Sequence, residues 1–107
     1  MGAKENAVVK AVLDFLKLKG VFAWRNQSTG IYDGKRWRPA HTIRGVSDII
    51  AVHNGTAYFI ECKTATGRLS KYQADFRDAV TKAGGVFILA RGVADVSQLD
   101  WSDNGEV

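Results

Sequence analysis

The sequence predicts an α/β fold in which a mixed sheet lies between helices in three layers. Three observations carry that expectation. A helical apolar pattern opens the chain, two β-rich apolar runs meet at Asn54-Gly55 in its middle, and a second helical pattern runs into a short apolar strand after them. Helices that alternate with strands in this way cover both faces of one sheet.

From about Glu5 to Lys19, Val8, Val9, Val12, Leu13, Phe15 and Leu16 recur at helical spacing. Lys17 and Lys19 suit the negative end of the helix dipole, and Gly20 can take the left-handed conformation that stops the helix. Glu5 complements the dipole at the other end. Val21 to Gln27 reads as a short strand ending in polar residues. Residues 28–44 differ in character: Lys35, Arg36, Arg38 and Arg44 are interleaved with Tyr32, Trp37 and His41, and the segment holds the only proline, Pro39, and a tight-turn signal at Asp33-Gly34. A basic arm of this composition suits a phosphate backbone and exposed bases, and a solvated loop with an incidental basic bias is the plainer alternative.

The two runs from Gly45 to Lys63 read as a hairpin, because Asn-Gly favours the type I′ turn, which needs positive φ at both central positions. Counting outward from a two-residue loop sets His53 against Thr56, Val52 against Ala57, Ala51 against Tyr58, Ile50 against Phe59, Ile49 against Ile60, and Asp48 against Glu61. Both faces are apolar away from the acidic end, so the hairpin should lie in a sheet covered on both sides. Directly opposed side chains share a face, with Cβ atoms roughly 5 Å apart. Two carboxylates there repel by about 3 kcal/mol at an effective dielectric near 20, so the fold must supply a cation. Lys63, two residues beyond Glu61, lies on the same face and can be one; a divalent metal can be another. A structural salt-bridge cluster is the alternative.

Thr64 to Arg68 reads as a loop. Ser70-Lys71-Tyr72-Gln73 then fits a capping box that opens the second helix, with Tyr72, Phe76, Ala79, Val80 and Ala83 as its inward stripe. Gly84-Gly85 ends it. Val86 to Ala90 has the continuous apolar character of a central strand, Val93 to Leu99 makes a weaker helix, and residues 100–107 should fray apart from Trp101.

The bulk composition bounds the function classes. A chain of 107 residues, 46% hydrophobic and 24% charged, fits one domain over residues 1–107. The net charge of +4 and a pI near 9.4 favour an anionic partner. One cysteine, Cys62, excludes an intramolecular disulfide framework and a cysteine zinc site, and suits a reducing cytoplasm. No apolar run approaches the roughly 18 residues of a membrane span, and no secretory signal pattern opens the chain. The phosphate-loop pattern is absent, so no nucleotide cofactor is expected. His41 and His53 belong to different environments and make no ligand pair.

A helix, then a hairpin with Asp48 at the start of one strand and Glu61-Cys62-Lys63 at the end of the next, then a helix and a strand, resembles the PD-(D/E)XK nuclease superfamily. More closely, Gly45-Val46-Ser47-Asp48, Ile60 to Thr64, Thr66-Gly67-Arg68-Leu69-Ser70 and Gln73 resemble the VRR-NUC domain in its small stand-alone phage and bacterial form. The resemblance spans Glu5 to about Leu99 and implies a restriction-endonuclease-like fold. It implies that Asp48, Glu61 and the Cys62 carbonyl bind Mg²⁺ or Mn²⁺, with Glu5 binding directly or through water. Lys63 would orient or activate the attacking water, and Gln73 would sit beside the site. Ser47 stands where the family usually has proline. The implied activity is hydrolysis of DNA, with branched DNA such as a Holliday junction as substrate and a homodimer as the working form. Arg25, Lys35, Arg36, Trp37, Arg38, Arg44 and Arg68 are the expected nucleic-acid contacts. Capping alone would explain Gln73, and a non-catalytic nucleic-acid-binding module is the competing class.

Overall fold

The computed structural model describes residues 2–26, 31–38 and 43–102. Gln27, Ser28, Pro39 and His41 lie outside the described residues, as do Asp103, Asn104, Gly105 and Glu106 of the tail. The elements are α1 (Ala3–Leu18), β1 (Phe22–Arg25), β2 (Ile31–Tyr32), β3 (Trp37–Arg38), β4 (Ile49–His53), β5 (Thr56–Cys62), α2 (Lys71–Lys82), β6 (Val86–Ala90) and α3 (Ala94–Ser97). A mixed sheet of four strands runs β1-β4-β5-β6, antiparallel except for the parallel β5–β6 pair, while β2 and β3 form a separate ribbon.

Asn54 and Gly55 both take positive φ, 51° and 80°, which is the turn their side chains favour. The register outward from it is the one obtained by counting, His53↔Thr56 through Ile49↔Ile60. Ile49, Ala51, Ile60 and Cys62 therefore share one face, and α1 seals it with Val9, Val12 and Leu16. Burying each large aliphatic side chain there contributes about 1.5–3 kcal/mol. Val96 of α3 and Trp101 complete this side of the core.

The other face is only half covered. Helix α2 lies over it, packing Phe76 edge-on against Phe59 with ring centroids 5.4 Å apart. Over β1 and β4 nothing comparable follows among the described residues: Phe22 is 70% exposed, and Trp24 and Val52 are each 40% exposed. The expectation of a hairpin covered on both sides is corrected here, because α2 is too short and too far toward β6 to reach the β1 edge. β6 also differs from the central strand its composition suggests, since it forms the opposite edge of the sheet.

Two further differences concern the ends of elements. Tyr72, expected in the inward stripe of α2, is 49% exposed. The first turn of α2 overhangs the sheet, and Arg44 lies across its ring instead, 4.7 Å from the centroid, while donating to the Tyr72 hydroxyl at 2.8 Å. Asp100 and Ser102, expected to fray, are tied down beside Trp101. His53 Nε2 lies 3.0 Å from the Trp101 carbonyl, Asn54 donates to the Ser102 carbonyl, and Ser102 donates twice to Asp100 Oδ1. Among the described residues no helix is long and apolar enough to cross a membrane.

Candidate active site

Strand β5 delivers Glu61 and then Lys63 to one end of the sheet, and the segment entering β4 delivers Asp48 beside them. The backbone fixes that neighbourhood. The Asn26 amide donates to the Asp48 carbonyl at 2.8 Å, and the Cys62 amide donates to Asp48 Oδ2, also at 2.8 Å. The amide and carbonyl of one residue on an extended strand point toward the same neighbour, so the Cys62 carbonyl also faces the Asp48 side. The Cys62 side chain turns the other way, into the core, where burial pushes its thiol up to about 12.

Glu61 is the unusual member. Only 2% of the residue is exposed, yet its two oxygens are treated differently. Oε2 accepts from Gln73 Nε2 at 3.0 Å and lies 3.7 Å from Lys63 Nζ. Oε1 is sealed from solvent with no hydrogen-bond partner. Burial is the largest cause of a pKa raised to about 8; the charge of Asp48 adds to it, and Lys63 opposes it. The closeness of the Asp48 carboxyl, beyond its charge alone, acts in the same direction. Left to itself, the pair keeps a proton where two negative charges would stand.

Gln73 resolves the choice between cap and site residue by doing both. Its Oε1 accepts from the Ser70 amide at 2.9 Å, and the Ser70 hydroxyl accepts from the Gln73 amide at 3.2 Å, completing the capping box. Its Nε2 remains free for Glu61. Glu5, in the first turn of α1, acts at longer range, its charge adding to the rise at Glu61. Among the described residues no three His, Cys, Asp or Glu side chains form one metal-binding group. The oxygen donors gathered here are thus two carboxylates and a backbone carbonyl.

Arg91 is a residue that motif reasoning passed over. Its guanidinium Nη1 donates to the Thr64 carbonyl at 2.5 Å and to the Gly67 carbonyl at 2.8 Å, bracing the loop that leaves Lys63. A side chain at Gly67 would meet Cβ and Cδ of Lys63 at 3.3 Å, so the braced loop backbone lies along the lysine stem. Parallel pairing of β5 with β6 brings Arg91 there, since Lys63 donates its amide to Ala90. That pairing was the available signal, because parallel strands end at the same edge of the sheet.

The expected nucleic-acid contacts separate into distinct settings. Arg25 donates to Asn6 Oδ1 at 2.8 Å and is tied to α1. Arg38 pairs with Asp33, which also accepts from the amides of Lys35 and Arg36. Those contacts hold the Asp33 carboxyl below the usual range. Arg44 packs on Tyr72, and Arg68 is exposed on the loop after Lys63. The Lys35, Arg36 and Trp37 side chains are exposed on the ribbon. Gly45, with φ +77°, joins the arm to the site: a Cβ there would stand 2.3 Å from the Tyr72 carbonyl oxygen and 2.7 Å from the Gln73 nitrogen. Ser47 is fully buried with its hydroxyl unpartnered.

No family profile, curated protein or solved structure matches this chain.

Proposed function

We propose that this chain is a metal-dependent DNA endonuclease that hydrolyses phosphodiester bonds at Asp48, Glu61 and Lys63, on a PD-(D/E)XK-type, restriction-endonuclease-like scaffold. The observation that supports this most is Glu61 Oε1, a buried carboxylate oxygen without a partner beside a second carboxylate. A structural ion-pair cluster would satisfy both oxygens. An oxygen left bare in a dry place instead fits a ligand that is a cation.

The donor chemistry fits Mg²⁺ or Mn²⁺: two carboxylates and the Cys62 carbonyl are hard oxygen donors. A divalent ion bound there supplies charge neutralisation for the scissile phosphate and the departing oxygen. The chain's own residues do the rest. Gln73 fixes the Glu61 carboxylate through Oε2, leaving Oε1 without a protein partner. Lys63, its side chain 12% exposed, presents its ammonium group at the mouth of the site, where it orients the attacking water or meets the phosphate charge. Arg91 and Gly67 hold the lysine stem. The exposed cations at Lys35, Arg36 and Arg68 provide contacts to the DNA backbone. Branched DNA as the preferred substrate, a homodimer as the working form and the cytoplasm as its place complete the proposal. A symmetric dimer would present two such sites to one substrate.

Incubation of linear and branched DNA with Mg²⁺, Mn²⁺ or EDTA tests it. Cleavage is expected with either ion and is lost in EDTA and in Lys63→Ala. Cleavage unchanged under either condition overturns the mechanism. Binding without any cleavage favours the competing module, in which the 3.7 Å Lys63–Glu61 ion pair is structural. Sedimentation as a monomer at working concentration removes the two-site argument.

A further inference from the structure

The β2–β3 ribbon carries a feature that phosphate contact does not use. Tyr32 and Trp37 are directly opposite each other, with ring centroids 5.5 Å apart and a tilt of 54°. A cross-strand aromatic pair is a common way to hold two strands together. Here, however, the pair remains 55% and 67% exposed, so more than half of the aromatic surface lies open to solvent. In the same short turn, Asp33 locks the backbone by accepting from two amides and neutralises Arg38. Lys35 and Arg36 are left as the exposed cations beside the rings.

The described residues on either side of the ribbon segment lie at the carboxylate end of the sheet. On one side the chain leaves from Asn26, whose amide is bonded to the Asp48 carbonyl. On the other it returns through Arg44 and Gly45, which pack on Tyr72 in the first turn of α2. An open aromatic platform with two exposed cations in its turn, in a segment whose described neighbours Asn26 and Arg44 lie beside the proposed phosphodiester site, matches what single-stranded nucleic acid requires. Bases stack on aromatic rings without regard to sequence, and the flanking phosphates meet the cations. A base inside an intact duplex already has both faces stacked and cannot use the platform.

We propose that the Tyr32–Trp37 pair is a stacking platform for an unpaired DNA base, so that the ribbon selects DNA with single-stranded character next to the cleavage point. This rests on the DNA-binding reading above and narrows it. The pre-formed turn lowers the ordering cost of binding, because Asp33 already holds the turn backbone and the rings hold each other.

Binding in EDTA, where cleavage does not interfere, tests this with three fluorescent DNAs: a blunt duplex, the same duplex with a single-stranded flap, and that flap built from abasic sites. The parent protein should bind the natural flap most tightly. Trp37→Leu keeps an apolar strand residue and removes the platform; it should weaken natural-flap binding about 5- to 100-fold. Blunt-duplex and abasic-flap binding should change less than about 2-fold, because no base stacks there. Trp37→Phe retains a ring and should fall in between, which separates lost stacking from a ribbon that no longer forms. An equal loss on abasic and natural flaps, or no loss on either, overturns the platform while leaving DNA binding intact. A parent protein that binds none of the three DNAs overturns the DNA reading itself.

Discussion

Gln73 holds Glu61 with one end of its amide and the start of α2 with the other: Nε2 donates to Glu61 Oε2 at 3.0 Å while Oε1 accepts from the Ser70 amide at 2.9 Å. Glutamate serves the same capping position equally well, since the box needs only an acceptor there. Only an amide also has a donor to offer. Gln73→Glu should therefore destabilise the fold by about 1–3 kcal/mol in urea unfolding at neutral pH, because it sets a third carboxyl against the buried pair. A purely capping residue would make that substitution neutral or slightly favourable, and such a result would remove Gln73 from the site.

Stability should depend on pH through Glu61. Its pKa rises from 4.5 to about 8 on folding. The folded chain therefore holds a proton that the unfolded chain releases between those values. The stabilisation is complete below the unfolded pKa and is lost as pH rises through the folded one. Without divalent ions, unfolding free energy should fall between about pH 5 and pH 8, and Glu61→Gln should flatten the slope. Parallel pH profiles for parent and variant would show that the carboxyl pair does not carry this proton.

Divalent ions should reverse that loss. Metal competes with the shared proton, so Mg²⁺ or Mn²⁺ should raise Tm more at about pH 8 than at about pH 5. An ion present at 100 times its Kd adds about 2.7 kcal/mol. Asp48→Asn and Glu61→Gln should each abolish the shift. This readout needs no DNA, and a Tm indifferent to millimolar ion in the parent would reject the metal site independently of any nuclease assay.

Arg91 contacts the Thr64 and Gly67 carbonyls of the loop after Lys63, so in the proposed nuclease its role is to position the lysine. Arg91→Ala should lower kcat about 10-fold with KM nearly unchanged, since it frees the loop against which the Lys63 stem rests. In a Lys63→Ala background the same substitution should add almost nothing, because a single function is lost twice. Additive losses in the double variant would mean that Arg91 works through something other than the lysine.

The legible parts of this structure are the local ones. Asn54-Gly55 sets a turn, the turn sets the register as far as Ile49 opposite Ile60, and that register brings Asp48 beside Glu61 without any knowledge of the rest of the chain. Ser70 and Gln73 announce the helix start in the same way. What sequence pattern did not reveal depends on distant partners. Tyr72 sits at helical spacing with Phe76, but its ring lies past the end of the sheet, against an arginine 28 positions earlier. Val86 to Ala90 is apolar throughout, yet whether such a run is central or at an edge depends on how many strands there are and in what order. Arg91 became relevant only once β5 and β6 were known to run parallel. The second role of Gln73 needed the depth of Glu61, which alternation alone does not give.

The contact at Gly45 couples the entry to β4 directly to the helix that holds the carboxylate pair. With no Cβ, the chain runs directly against the Tyr72 carbonyl and the Gln73 nitrogen. There is no slack at that point: a shift of Gly45 presses on the first turn of α2, and the next residue in line is the one whose amide grips Glu61. The chain leading into β4 and the residue that sets the carboxylate geometry thus meet at a contact that has no room for a methyl group.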